Sequence, residues 1–188
     1  MIRLRHCLPI LLTALLSACA GAPIEPSYYL LRADTEASSR ALDPAPYQLG
    51  PVSVAPYIDL SGLLLETAPG EIRPARNHLW AEPVQEGVRA LLSAEISRAL
   101  GKDVLFLNPD TRGPVISVVI AQLHGTRQGS AKLVAYWALL DGDKTLAAEK
   151  FGATEPLAED GYRALAAAQK SLLRDLAISI AQRLDQGA

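Results

Sequence analysis

Residues 115–123, Val-Ile-Ser-Val-Val-Ile-Ala-Gln-Leu, are apolar at odd and even positions over most of their length. Successive side chains of a strand point to opposite faces, so a run of this kind belongs in the middle of a sheet. The next strand is residues 131–140, with Leu133, Ala135, Trp137 and Leu139 on one side. Asp141-Gly142 is a strong hairpin signal, and residues 145–151 return from it. Together the three predict an antiparallel meander, its first turn formed by the polar, glycine-bearing residues 124–130.

Two helices accompany these strands. Glu82-Pro83 opens the first, since a proline at the first helical position gives up an N–H that has no intrahelical partner. Val84, Val88, Leu91, Leu92, Ile96 and Leu100 recur on one face, Gln85, Glu86, Arg89 and Ser93 on the other. Gly101 supplies the stop, and Gly87, about 1 kcal/mol worse than Ala in a helix, points to close packing. The second helix is read over residues 159–184, with Leu165, Leu172, Leu173, Leu176, Ile180 and Leu184 as its apolar stripe. Arg163, Lys170, Arg174, Gln182 and Gln186 face away, and Glu159 and Asp160 sit at its start, where the helix dipole favours negative charge. Ala164 and Ala166, Ala167, Ala168 allow close approach to a sheet, so the stripe predicts a core-covering helix in preference to a partner-binding one.

The remaining strands are shorter. Residues 28–32 read as the first and 33–46 as an exposed loop. Residues 47–54 follow, where Leu49, Pro51 and Pro56 predict an edge or bent strand. Residues 63–66 are a strand, 68–70 a turn and 71–75 its return. Residues 104–107 are a strand behind the first helix, giving a strand-helix-strand unit with a parallel, right-handed crossover. The expected fold is therefore α/β: one domain (residues 28–188), a mixed sheet with a βαβ unit and an antiparallel meander, packed by two long helices.

The start of the chain is not part of that domain. Arg3, Arg5 and His6 precede an apolar run over residues 8–16, and Leu16-Ser17-Ala18-Cys19 follows. This is the layout of a bacterial lipoprotein export signal with its lipobox: small side chains admit the peptidase, and the Cys19 thiol takes up diacylglycerol. The run is about half of the ~20 residues that span a bilayer, which disfavours a transmembrane anchor. Residues 1–18 are thus read as signal peptide, Cys19 as the lipidation site and residues 19–27 as a tether. Two or more acyl chains hold a protein on a membrane, at about 0.8 kcal/mol per buried CH₂, and three are normal for such a cysteine. Ala20 stands where, by resemblance to the lipoprotein sorting rule, an Asp would mark inner-membrane retention, so the expected address is the outer membrane, periplasmic face. The tether, with Pro23 and Pro26, reaches roughly 25 Å, at ~3.3 Å per residue.

Processing also sets charge and thiol content. Loss of Arg3 and Arg5 takes the formal net charge from −2 to −4, against nucleic acid and against a basic lipid-binding patch. Cys7 leaves with the signal and Cys19 is acylated, so no thiol is left for a disulfide, metal or nucleophile. His78 and His124 have no cysteine beside them to complete a structural zinc set, and isolated histidines are usually surface or hydrogen-bonded core residues. No serine lies in a Gly-x-Ser-x-Gly elbow. Residues 125–132 have a phosphate loop's composition but not its spacing, and a strand follows instead of a helix. Acidic pairs such as Glu82 with Glu86, or Glu159 with Asp160, are accounted for by helix dipoles. The expectation is no catalytic residue, no metal and no cofactor.

Several segments together carry a family resemblance: the lipobox, Tyr28-Tyr29-Leu30-Leu31, residues 49–59 (Leu-Gly-Pro-Val-Ser-Val-Ala-Pro-Tyr-Ile-Asp), and His78-Leu79-Trp80-Ala81-Glu82-Pro83 with the helix behind it. The chain resembles the PqiC family of ABC-type transport auxiliary lipoproteins over essentially its whole mature length. It departs from that pattern at Leu60-Ser61-Gly62, where a basic or proline-bearing variant is expected after Asp59. The resemblance implies an α/β, non-enzymatic lipoprotein of the outer membrane, an auxiliary subunit of intermembrane lipid transport. It also implies a periplasmic MCE-type tunnel protein as partner and assembly of the auxiliary subunits as a homo-oligomeric ring. Tyr57, Ile58 and Leu60, on a proline-bounded loop, are candidate partner contacts. Trp80 is a fourth, read first as packing beneath the helix start and second as an interface anchor. The competing function is a lipoprotein that itself carries a lipid, which requires a wide apolar cavity.

Overall fold

The structure, a computed structural model, describes residues 25–34, 42–108 and 112–187; the expected signal peptide, Cys19 and most of the expected tether lie outside them. In chain order the elements are β1 (Ser27–Tyr29), β2 (Gln48–Val54), β3 (Gly62–Ala68), β4 (Glu71–Trp80), α1 (Val84–Leu100), β5 (Val115–Gly125), β6 (Ser130–Asp141), β7 (Lys144–Pro156) and α2 (Tyr162–Asp185). The strands form one mixed sheet ordered β1-β4-β3-β5-β6-β7, with β2 also paired to β5. This is the α/β class expected.

β5 is the central strand that its two-faced apolarity demands. One edge carries antiparallel β6 from Val115↔Leu140 to Gly125↔Ala131. The other edge is shared end to end. Parallel β2 lies along residues 115–120, and parallel β3 touches at Leu65↔Gly125. β7 returns antiparallel on β6, completing the meander. The register of β2 shifts between Leu49 and Val52, around Pro51, so this strand is bent as its prolines predict.

Both helices lie on one face of the sheet. Ile116, Val118, Ile120, Leu133, Ala135, Trp137 and Leu139 point at them and are buried, as are Val88, Leu91, Leu92 and Ile96 of α1. The α2 stripe of Leu165, Leu172, Leu173, Leu176, Ile180 and Leu184 is buried, so this helix covers the core. Alternate residues on the opposite face, Val119 and Tyr136, stay exposed. α1 stops at Gly101, whose φ of 63° is left-handed. A Cβ on Gly87 would come within 3.0 Å of the Leu31 Cβ, so the glycine serves close packing, as its position inside a helix suggested.

Three expectations need correction in detail. Residues 104–107 form no full strand: Phe106 makes an isolated parallel bridge to Leu49, and Asp103, just before them, makes one to Pro44. Only Val104 points inward, and its backbone is held by helix serines. Ser97 Oγ accepts its N–H at 2.9 Å, and Ser93 Oγ donates to its carbonyl at 2.8 Å. The return strand after residue 70 runs past residue 75 to Trp80. Glu159 and Asp160 precede α2, whose first turn holds no acidic residue because Gly161, at φ 109°, breaks the chain there.

Candidate docking site

Of the four residues singled out as contacts, Leu60 is 44% exposed, while Ile58 and Trp80 are buried. Tyr57 is half-buried: its hydroxyl donates to the Ala121 carbonyl at 3.4 Å, and burial pushes its ionisation above the usual phenol range. Trp80 joins the core, and its backbone N–H donates to the Ser61 carbonyl at 2.7 Å. That bond brings the end of β4 against the loop that carries Leu60.

Leu60 forms one wall of an open groove of about 800 Å³, with Gly62, Arg73, Pro74, Arg76 and Leu79. The groove arises from a mismatch in strand pairing. Gly62 pairs with Leu79 and Leu64 with Pro74, so Leu63 alone faces residues 75–78, and β4 bulges away. Gly62 is required, since any Cβ would drive into the Ala75 carbonyl oxygen. Arg73 pairs with Glu71 at 3.0 Å, whereas Arg76 joins no ion pair among the described residues. The Thr67 hydroxyl and then Arg73 hold the Glu71 carboxyl below its usual range. A basic, partly apolar trough with a bent strand as its floor suits a protein segment carrying apolar and acidic side chains.

Tyr162, the first residue of α2, closes one side. Its ring stacks on His78, centroids 4.4 Å apart, and His78 Nδ1 lies 3.0 Å from the Tyr29 hydroxyl. β1, β4 and α2 are thereby tied together beside the groove. On its other side Tyr162 borders a smaller cavity of about 420 Å³ at the end of the sheet. Arg73, Arg76 and Tyr162 escaped the sequence reading. The one signal available was the polar content of residues 71–80, unusual for a strand with a buried face.

His78 on β4 and His124 on β5 are separated by β3. His124 is a hydrogen-bonded core residue, its Nδ1 3.0 Å from the Gly125 carbonyl. Among the described residues no three His, Cys, Asp or Glu side chains gather as a metal site, and no helix is long and apolar enough to cross a membrane. Residues 125–132 close the β5–β6 hairpin, with Thr126 Oγ1 and Ser130 Oγ 2.7 Å apart.

Known proteins share this architecture. Intermembrane transport lipoprotein PqiC of Escherichia coli K12 is 24% identical over 172 residues, spanning 90% of this chain and 91% of its own, and its Shigella flexneri counterpart matches equally. A crystal structure of an uncharacterized protein superposes with a TM-score of 0.74 at 21% identity, covering 86% of this chain and 99% of that one. A Xanthomonas campestris protein follows with a TM-score of 0.61 at 16% identity, covering 88% and 99%. The family model for the ABC-type transport auxiliary lipoprotein component matches residues 28–181. That span holds β2 to β7, all of α1 and most of α2, and the chain belongs to the family of ABC-type transport auxiliary lipoproteins.

Proposed function

We propose that this lipoprotein is a docking subunit of an intermembrane lipid transport system, held at the periplasmic face of the outer membrane through acylated Cys19. Its task is to present a binding surface, not to catalyse a reaction. The partner is a periplasmic MCE-type tunnel protein, met by copies of this chain arranged as a ring. The observation that carries the reading is the groove beside β4, where exposed Leu60 and free Arg76 stand over a bent strand. Family membership and the likeness to an intermembrane transport lipoprotein support it. The space between sheet and helices is filled by side chains such as Leu91, Leu92, Ile120, Leu133 and Leu173, so that interior does not supply the wide cavity of a lipid carrier.

Site-specific photocrosslinking in membranes tests this. Probes at Leu60 and Arg76 are expected to capture the tunnel protein, and probes at Arg163 and Gln182, on the outer side of α2, are expected not to. Absence of tunnel-protein adducts from every position over residues 57–63 and 73–79 overturns the docking reading.

A further inference from the structure

We propose that the smaller cavity, at the end of the sheet toward which the tether heads, takes a single acyl chain of a bilayer phospholipid, with Arg127 meeting the anionic head. Four separate pieces of chain converge there: the end of β3, the β5–β6 turn, the segment after β7 and the start of α2. Its inner wall is Leu65, Leu157, Leu165 and the ring of Tyr162. Leu65 and Leu165 meet across Gly125, where a Cβ would lie 2.9 and 3.0 Å from their methyl carbons. About 420 Å³ is near the low end of the ~300–1,000 Å³ of small-molecule sites, a size that suits one chain.

Strand polarity sets where this cavity faces. β1 runs parallel to β4 with Ser27↔His78 and Tyr29↔Trp80, so the chain reaches Ser27 from the side of Glu71 and the β3–β4 turn. β3 in turn runs parallel to β5 at Leu65↔Gly125, which puts that turn and residues 126–129 at the same end of the sheet. Glu25 and Pro26, which precede the Ser27 that pairs with His78, therefore head toward the end of the sheet at which the cavity lies, and Cys19 stands six residues further back, roughly 20 Å at ~3.3 Å per residue. Arg127 stands exposed at the rim and forms no ion pair among the described residues. Glu66, also at the rim, turns toward the Gly70 N–H, which donates to it at 3.4 Å. An open apolar cleft rimmed by a guanidinium that has no ion pair among the described residues fits an anionic amphiphile, and a bilayer within tether reach supplies one.

Only the source of the lipid rests on the anchoring reading above. The test uses the full-length acylated protein in vesicles of phosphatidylglycerol and phosphatidylethanolamine, spiked with phosphatidylglycerol bearing a photoactivatable acyl chain. After irradiation, adducts are expected on peptides carrying Leu65, Leu157 and Leu165. Thr67→Trp and Leu157→Trp, which fill the cavity from opposite walls, should each reduce them several-fold, with the melting transition confirming that each variant is folded. Arg127→Glu should reduce labelling by the phosphatidylglycerol probe but not by a phosphatidylethanolamine probe. Adducts scattered over the exposed sheet face, or undiminished in both filled variants, overturn the proposal. A Cys19 peptide without acyl mass defeats the anchoring reading alone, and absence of tunnel-protein crosslinks from every position over residues 57–63 and 73–79 defeats the docking reading alone.

Discussion

Replacing one methyl group by hydrogen at position 62 decides whether β4 can fold back over β3. The bulge over residues 75–78 brings the Ala75 carbonyl onto the spot that a Cβ of residue 62 would fill. Gly62→Ala should therefore cost about 1–3 kcal/mol, the range for forced overpacking, because backbone and not a pliant side chain must move. Urea unfolding should show a lower midpoint at unchanged slope, and Leu60 crosslinking to the partner should weaken with it. A midpoint equal to the parent's means the bulge is not fixed by this contact. Gly87 was legible in the sequence because a glycine inside an amphipathic helix stands out. Gly62 was not, since Leu60-Ser61-Gly62 reads as an ordinary turn whatever lies across from it.

Between elements, α1 and α2 are joined by a charged clasp over their apolar seam. Glu95 of α1 is 1% exposed, pairs with Arg98 one turn on, and accepts from Arg174 Nε of α2 at 3.3 Å. Arg174 also donates from Nη2 to Asp34 at 3.1 Å, and Lys170 holds that carboxyl below its usual range. Arg174→Met should cost about 1.5–3 kcal/mol, the range for a hydrogen bond to a charged group, by leaving Glu95 with Arg98 alone. Adding Glu95→Met should restore much of it, because the buried carboxylate disappears with its partner. Urea midpoints of the two single variants and the double variant give the coupling; strictly additive losses rule out the clasp. Helix stripes, the meander and the central strand were legible here because each buries one periodic face. The far half of β4 was not: Arg76, Asn77 and His78 show no apolar period, since that stretch is bulged and half-exposed. Residues 104–107 misled in the opposite sense, as an apolar run whose Leu105, Phe106 and Leu107 are exposed and whose backbone partners are largely helix serines and Leu49.

For the molecule as a whole, the proposed anchoring at Cys19 would let strand direction and tether length together set its orientation. The groove lies along β4, while the proposed acyl cavity lies at the end of the sheet toward which Glu25 and Pro26 head. With Cys19 acylated as proposed, a short tether should keep that end against the bilayer, while the groove, whose Arg76 and Leu79 flank the His78 opposite Ser27, lies beside the point where the chain joins the sheet. No single segment of sequence could reveal this, because the cavity is assembled from four element ends that meet only in the folded sheet. Inserting about twenty Gly/Ser residues between Gly21 and Ala22 adds roughly 25 Å of root-mean-square reach. Labelling of Leu157 and Leu165 by the photoactivatable lipid should then fall several-fold, since the cavity mouth is no longer held at the membrane surface. Crosslinks from Leu60 and Arg76 should persist wherever the tunnel protein itself approaches the membrane. Undiminished labelling with the long tether means that the cavity finds lipid without being held, and that tether length does not set the orientation. Loss of both readouts together means that the groove, too, works only at a fixed distance from the bilayer.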